Sequence, residues 1–321
     1  MGRVALVTGV SRYLGGRLAA VLAADPAFDR VIGVDSVSPP AGLPIEFVRA
    51  DIRNPVIGRV MDEAGVDTCV HMGVIATPRQ AGGRSAMKDI NVIGTMQLLA
   101  ACQRVPSLTS FVVKSSSSVY GAGPKDPAMF TEEMEPKHPP RSGWAKDCLE
   151  VEGYVRGFSR RRQDVAVSIL RFANFMGPDL RTGTTGYFNL PVIPTVLGFD
   201  ARLQFVHEDD GMRAIKSCVD VRADGIFNVA GPGAVTLSQA VRWMHKQFVP
   251  MPSFMLSTLG RTVAAARYAD LSSEQIRYLT YGRVLDTSAI ERAIGFVPDY
   301  SSAAAFMSFA RKEESDGSFE G

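Results

Sequence analysis

The chain has 321 residues, 46% of them apolar and 21% charged, and its 35 Lys and Arg against 33 Asp and Glu leave a net charge of +2. These are the values of an ordinary globular chain. They exclude a strongly basic nucleic-acid binder and an acidic disordered protein, and the length fits two domains or one large α/β domain with an appendage.

The first strand is expected at residues 4–7, which leaves no room for a signal peptide before it. Thr8 and Gly9 end that strand, and residues 14–24 read as a helix with Leu14, Leu18, Val21 and Leu22 on one stripe. Further strands are expected at 31–34, 45–48, 66–71, 111–113 and 165–170, with a helix over 91–102. Apolar strands alternating with helices predict a parallel sheet covered on both faces. From Gly177 several Pro and Gly break this rhythm, and a strand at 227–229, a helix from Ser238 and a Met- and Ala-rich segment from Met251 follow. The expected division is a dinucleotide-binding domain over 1–176, with sheet elements returning near 203–230. A smaller substrate lobe over 177–311 and a flexible tail over 312–321 complete it. The cysteines Cys69, Cys102, Cys148 and Cys218 form no Cys-x-x-Cys pair. That spacing argues against a disulfide framework or a metal site and suits a reducing cytoplasm. No apolar run is long enough to span a membrane. Arg160-Arg161-Arg162 reads as a solvated helix end rather than a nucleic-acid patch.

Thr8-Gly9-Val10-Ser11-Arg12-Tyr13-Leu14-Gly15 joins the first strand to the first helix. Backbone N–H groups of residues 11–15 at such a helix start can hold a pyrophosphate, and glycine lets the chain approach it closely. Asp35 closes the next strand twenty residues beyond Gly15, the spacing expected of a carboxylate on the adenosine ribose.

These residues resemble the extended short-chain dehydrogenase/reductase family, in its NAD-dependent epimerase/dehydratase branch, from Arg3 to about Val297. The resemblance implies a Rossmann-type doubly wound sheet. The family's TGxxGxxG reads TGVSRYLG here, with Arg12 at the middle glycine. An arginine there suits an NADP 2′-phosphate, but the charge of Asp35 would repel one, so NAD is the expected cofactor over NADP. Asp51-Ile52 resembles the pair beside the adenine. His71-Met72-Gly73 stands at the family's HxAA, whose backbone lines the cofactor, and Asn91 matches the Asn of NVxGT near the active site. A packing role for Asn91 and a structural one for His71 stay open.

Lys114-Ser115-Ser116-Ser117-Ser118-Val119-Tyr120-Gly121 resembles the strand end that carries the catalytic Ser or Thr, which places Ser116 there. Ser117 and Ser118 stand where dehydratases carry an acidic pair, which counts against a dehydratase. In the family's Tyr-x-x-x-Lys, Lys146 fits the lysine, but the tyrosine position is Ser142. A serine hydroxyl is a poor acid or base without an activating partner. Three explanations stay open. Another group moves the proton, whether Ser142 with Lys146, Tyr120 or a water. Alternatively the chain binds NAD as a sensor or scaffold, or Ser142 is an engineered replacement. A simple NAD(P)H-dependent ketone reductase is a further reading.

Ile169 to Pro178 resembles the family's xLRxxNxxGP, which places Asn174 against a nucleotide-sugar phosphate or sugar. The arginine that precedes the family's DFVH, a diphosphate ligand, is Leu203 here, with Arg202 adjacent. On a strand Arg202 would point to the opposite face. Arg79 and Arg283 are other candidates for an anionic substrate, Ser116 and Ser117 for its sugar, and Asp286 for holding nearby backbone or an arginine. The resemblance implies 4-epimerisation of a nucleotide sugar through a keto intermediate. It also implies a homodimer built from the helices around 91–102 and 146–158.

Overall fold

The computed structural model describes residues 2–76, 81–256 and 272–317. The chain falls into two compact units. The first comprises Met1–Ser115, Lys146–Arg171 and Met212–Phe227, and the second Ser116–Ala145, Phe172–Gly211 and Asn228–Gly321.

In the first unit, short apolar, β-branched runs become strands that bury both faces. They are β1 (Arg3–Thr8), β2 (Phe28–Asp35), β3 (Glu46–Arg49), β4 (Thr68–His71), β5 (Ser110–Ser116), β6 (Ala166–Phe172) and β11 (Gly225–Val229). Their order in one seven-stranded sheet is β3-β2-β1-β4-β5-β6 with β11 at the edge beyond β6. The pairings of β1 with β2 and β4, β2 with β3, and β4 with β5 are parallel. This is the Rossmann order, which reverses direction between β1 and β4 and opens a crevice at the strands' C-terminal ends.

Helices flank the sheet: α1 (Tyr13–Ala23), α2 (Val56–Glu63), α3 (Arg84–Lys88), α4 (Gly94–Cys102), α5 (Gly143–Arg161) and α7 (Glu208–Val221). In α1 the buried face is Gly15, Leu18, Ala19 and Leu22, while Val21, expected on that stripe, is exposed. The helix expected from Asn91 starts as a π-helical turn, Asp89–Ile93, before α4. Phe111 on β5 meets Phe158 on α5, ring centroids 5.7 Å apart, and both are fully buried.

The second unit is a lobe of smaller sheets. β7 (Asn174–Met176) pairs with β10 (Phe205–His207), β8 (Val192–Val196) with β13 (Gln247–Met251), and β9 (Arg202–Leu203) with β12 (Val235–Thr236). Its helices are α6 (Gly183–Phe188), α8 (Leu237–Trp243), α9 (Ser273–Tyr281), α10 (Ser288–Ile294) and α11 (Ser302–Gly317). An aromatic core holds it, with Phe306 of α11 edge-on to Phe188 of α6 at 4.9 Å and beside Phe205 of β10 at 5.5 Å. Most of the Met- and Ala-rich segment after Met251 lies outside the described residues. Among the described residues no helix is long and apolar enough to cross a membrane.

Candidate functional site

The turn after β1 is shaped for close approach. Gly9 has φ +78°, and a Cβ there would lie 2.8 Å from the Cα of Gly73. A Cβ on Gly15 would collide with the carbonyl of Gly9. Arg12 stands at the N-cap of α1, and its side chain makes no capping hydrogen bond. The positive end of α1 is therefore served by backbone N–H groups alone. Ser11 donates its N–H and its hydroxyl to Asp35 Oδ2, at 3.1 and 2.6 Å. The acid at the end of β2, expected on the adenosine ribose, thus orients the turn. Burial pulls the Arg12 guanidinium pKa down, and the charge of Asp35 opposes that. The glycine cradle, the helix start without a side-chain cap and the acid at the end of β2 fit an adenine dinucleotide.

Other expected cofactor residues are placed as follows. Met72 is buried, and Gly73 donates its N–H to Thr8 Oγ1 at 3.3 Å. Ile52 is buried under Gly94, while Asp51 is gripped by Arg53 at 2.6 Å, which lowers its pKa. Asn91 accepts the Ile75 N–H at 2.7 Å and donates to Ile75 O and Asp147 Oδ2, at 2.9 and 3.2 Å. Its amide therefore clamps the segment after β4 to α5, which is the structural role left open for it. Arg79 lies outside the described residues. Lys114 in β5 was not singled out by the sequence pattern. Burial lowers its pKa, partly offset by the Cys148 thiol and reinforced by Arg12.

His71 is fully buried between two threonines, Nδ1 at 2.7 Å from Thr8 Oγ1 and Nε2 at 2.9 Å from Thr95 Oγ1. Burial, then the charge of Lys114, push its pKa from 6.5 to about 3. It is neutral in the folded chain and serves as a strut, not a proton shuttle. Between those two values the unfolded chain binds a proton that the folded chain does not. Stability should therefore fall as pH drops below about 6.5, by up to about 1.4 kcal/mol per pH unit. Urea unfolding at pH 7.5 and 5.5 should show a steeper loss in the native protein than in His71→Gln. Equal losses would contradict a neutral imidazole.

On α5, Lys146 sits 3.8 Å from Glu150, which also meets Lys88 at 3.5 Å. Asp147, fully buried, receives both arms of Arg84 at 2.5 Å. One turn on, buried Glu152 accepts the Ser115 hydroxyl at 2.6 Å and the Arg171 guanidinium at 2.7 Å, and also pairs with Arg156 at 3.2 Å. Ser142 is exposed and precedes α5, because Gly143, at φ +70°, opens the helix. Ser142 thus flanks the start of the helix that carries Lys146 rather than lying within it.

In the second unit Ser116 caps a 3-10 turn, Ser117–Tyr120, its Oγ accepting the Ser118 N–H at 3.1 Å. The Ser116 hydroxyl hydrogen is left to donate to another oxygen. Tyr120 is buried, stacks on Phe130 at 4.8 Å and donates to Asn228 Oδ1 at 2.9 Å. The Asn228 amide in turn donates to Phe130 O and Asp286 O. Tyr120 is therefore a structural phenol, which removes it from the candidate proton carriers. Asn174 hydrogen-bonds the phenol of Tyr278. Arg283, over the Tyr278 ring at 5.2 Å, donates to Gly121 O at 2.9 Å and Ser117 Oγ at 3.2 Å. Leu203 is buried, and Arg202, on the opposite face as alternation requires, is exposed and donates to Ala128 O at 3.2 Å. Asp286 accepts the Ser288 N–H at 2.8 Å.

Residues 5–230 match the model of the NAD dependent epimerase/dehydratase family. The chain belongs to this family. An uncharacterised protein of Mycobacterium tuberculosis (strain ATCC 25618 / H37Rv) is 44% identical over 314 residues, 96% of this chain and 84% of that protein. Among solved structures, MoeE5 in complex with UDP-glucuronic acid and NAD is similar with a TM-score of 0.76 at 18% identity, covering 98% of this chain and 100% of that one. The UDP-glucose 4-epimerase of Thermotoga maritima, solved with UDP-glucose, gives 0.74 at 17% identity, covering 98% and 99%. At such identity these two share the fold.

Proposed function

We propose that this protein is an NAD-dependent epimerase-type oxidoreductase acting on a nucleotide sugar, with a hydroxyl where the family has its catalytic phenol. The observation that carries this reading is the glycine cradle at the β1–α1 turn with Asp35 beside it, at the point where the strand order reverses. Backbone N–H groups at the start of α1 would hold the pyrophosphate, and Asp35 the adenosine ribose, which favours NAD over NADP. A bound NAD would supply reversible hydride transfer at a sugar carbon. Ser116 donates its hydroxyl hydrogen to the sugar oxygen, and Asn174 orients the substrate. Lys146 holds the nicotinamide ribose and favours negative charge nearby. Ser142, with Lys146 or a bound water, takes the proton of the sugar hydroxyl and gives it back.

NAD and NADP titrations by calorimetry, followed by incubation with UDP-glucose, UDP-galactose and UDP-glucuronate under NMR, test the reading. NAD should bind more tightly than NADP, and at least one sugar should form its epimer. NADP binding tighter than NAD, or no epimer from any of them, counts against it.

A second reading is favoured by the exposure of Ser142 and the locked phenol of Tyr120: a protein that binds NAD as a sensor or scaffold without turnover. Ser142→Tyr separates the two. A positioned acid or base contributes roughly 10²–10⁴-fold in rate, so a chain held back by the missing phenol should gain turnover of that order. No gain in a silent protein supports the sensor. Loss of an existing activity shows that Ser142 itself takes part.

A further inference from the structure

β5 is an interior strand of the first unit's sheet, and Lys114 is the one residue of it that is not buried. A lysine in such a strand is costly, since a charged head drawn away from water needs a counter-charge or hydrogen-bond acceptors. Among the described residues no carboxylate pairs with Lys114, and no oxygen accepts a hydrogen bond from its ammonium. Burial lowers its pKa. The Cys148 thiol of α5 opposes that, and the like charge of Arg12 at the start of α1 adds to it. The only other titratable group on which Lys114 acts is His71, which is neutral.

The strand register fixes where this lysine stands. Thr8 of β1 is level with Val34 of β2 and with His71 of β4, and His71 is level with Val113 of β5. The residues that follow, Gly9, Asp35, Met72 and Lys114, therefore form one row across the C-terminal end of the sheet. Gly9 opens the turn that leads to the N–H groups of α1, and Asp35 stands on its β2 side. Lys114 stands on the other side, two strands from β1 and roughly 10 Å along the row. A dinucleotide laid across this edge with its adenosine ribose at Asp35 passes β1 with its diphosphate and runs on toward β4 and β5. Arg12 is felt at both ends of the row, by Asp35 and by Lys114. The two cations thus border the same stretch of the crevice, one from α1 and one from β5.

We propose that Lys114 and Arg12 form a cationic clamp on the diphosphate of the dinucleotide, with the lysine closing it from the nicotinamide side. The clamp rests on the function proposed above and adds a residue to its cofactor site. Helix N–H groups offer only fixed partial charge. The clamp adds a full positive charge on each wall, and charge-assisted hydrogen bonds to phosphate oxygens are the strong ones. It also gives a use to Arg12, which stands where the family's turn has its middle glycine. Lys114 is a binding residue and moves no proton.

The test compares ligands that carry the diphosphate with one that does not. The full chain is titrated by calorimetry with adenosine, ADP-ribose and NAD, at low and at high salt. The native protein should bind ADP-ribose at least tenfold more tightly than adenosine, and the ratio should shrink as salt rises. Lys114→Met should lose roughly tenfold or more in affinity for ADP-ribose and NAD, keep its affinity for adenosine, and show a weaker salt dependence. Lys114→Arg should retain most of the native affinity, and Arg12→Met should shift the ratio in the same direction as Lys114→Met. A lysine with a merely structural role would alter all three ligands alike. Native affinity for ADP-ribose in Lys114→Met, or an equal loss for adenosine and ADP-ribose, overturns the clamp while leaving the function proposed above in place. Lys114→Gln replaces the methionine variant if thermal melting shows that one to be unfolded. A native protein that binds none of the three ligands overturns the proposed function, and the clamp with it.

Discussion

Glu152→Ala should cost about 3–5 kcal/mol of stability, the usual price of removing one partner from a buried ion pair. Glu152 is fully buried on α5, and Arg171 on β6 is nearly so. The substitution strands the guanidinium in the interior and removes the acceptor of the Ser115 hydroxyl. At about 2–4 °C per kcal/mol for a chain of this size, Tm should fall on the order of 10 °C. Glu152→Ala combined with Arg171→Met should recover part of the loss, because apolar groups of similar volume replace a buried pair at little cost. A single variant that melts within about 2 °C of the native protein would contradict the network.

Gly9→Ala should weaken NAD binding on the order of 10- to 100-fold, the worth of one charge-assisted hydrogen bond of about 1.5–3 kcal/mol. Two effects combine. The left-handed backbone at φ +78° costs about 1 kcal/mol for a residue with a Cβ. The added methyl would also stand 2.8 Å from the Cα of Gly73, a backbone atom that cannot swing aside. The turn must then open, and its N–H groups leave the position proposed for the pyrophosphate. Calorimetry with NAD reads the change, and a melting curve separates it from unfolding. An unaltered affinity would mean that the dinucleotide is held elsewhere.

How much of the site was legible depended on whether a residue acts through its neighbours in sequence. The Thr8–Gly15 turn and Asp35 could be read directly, since a tight turn, a helix start and a strand end are local events. For Ser116 the sequence offered a motif position, and its capping of Ser118 N–H came only with the structure. The roles of His71, Asn91 and Tyr120 were not. Each is a polar side chain whose purpose is set by what it meets, and the partners lie 63, 16 and 108 residues away. Arg283 illustrates the same limit, reaching Ser117 across 166 residues. Ser142 shows a different one. Its distance in sequence from Lys146 suggested a shared helix face, but Gly143 moved the start of α5 past it.

By itself the sequence determined the element types, the parallel sheet and the dinucleotide turn, because hydrophobic period and glycine placement act over a few residues and tolerate little ambiguity. Only the tertiary structure decided which polar groups are struts. Strand order, not sequence distance, brings Arg171 to Glu152 and Thr8 to His71, and a buried polar group must find whatever partner that packing delivers.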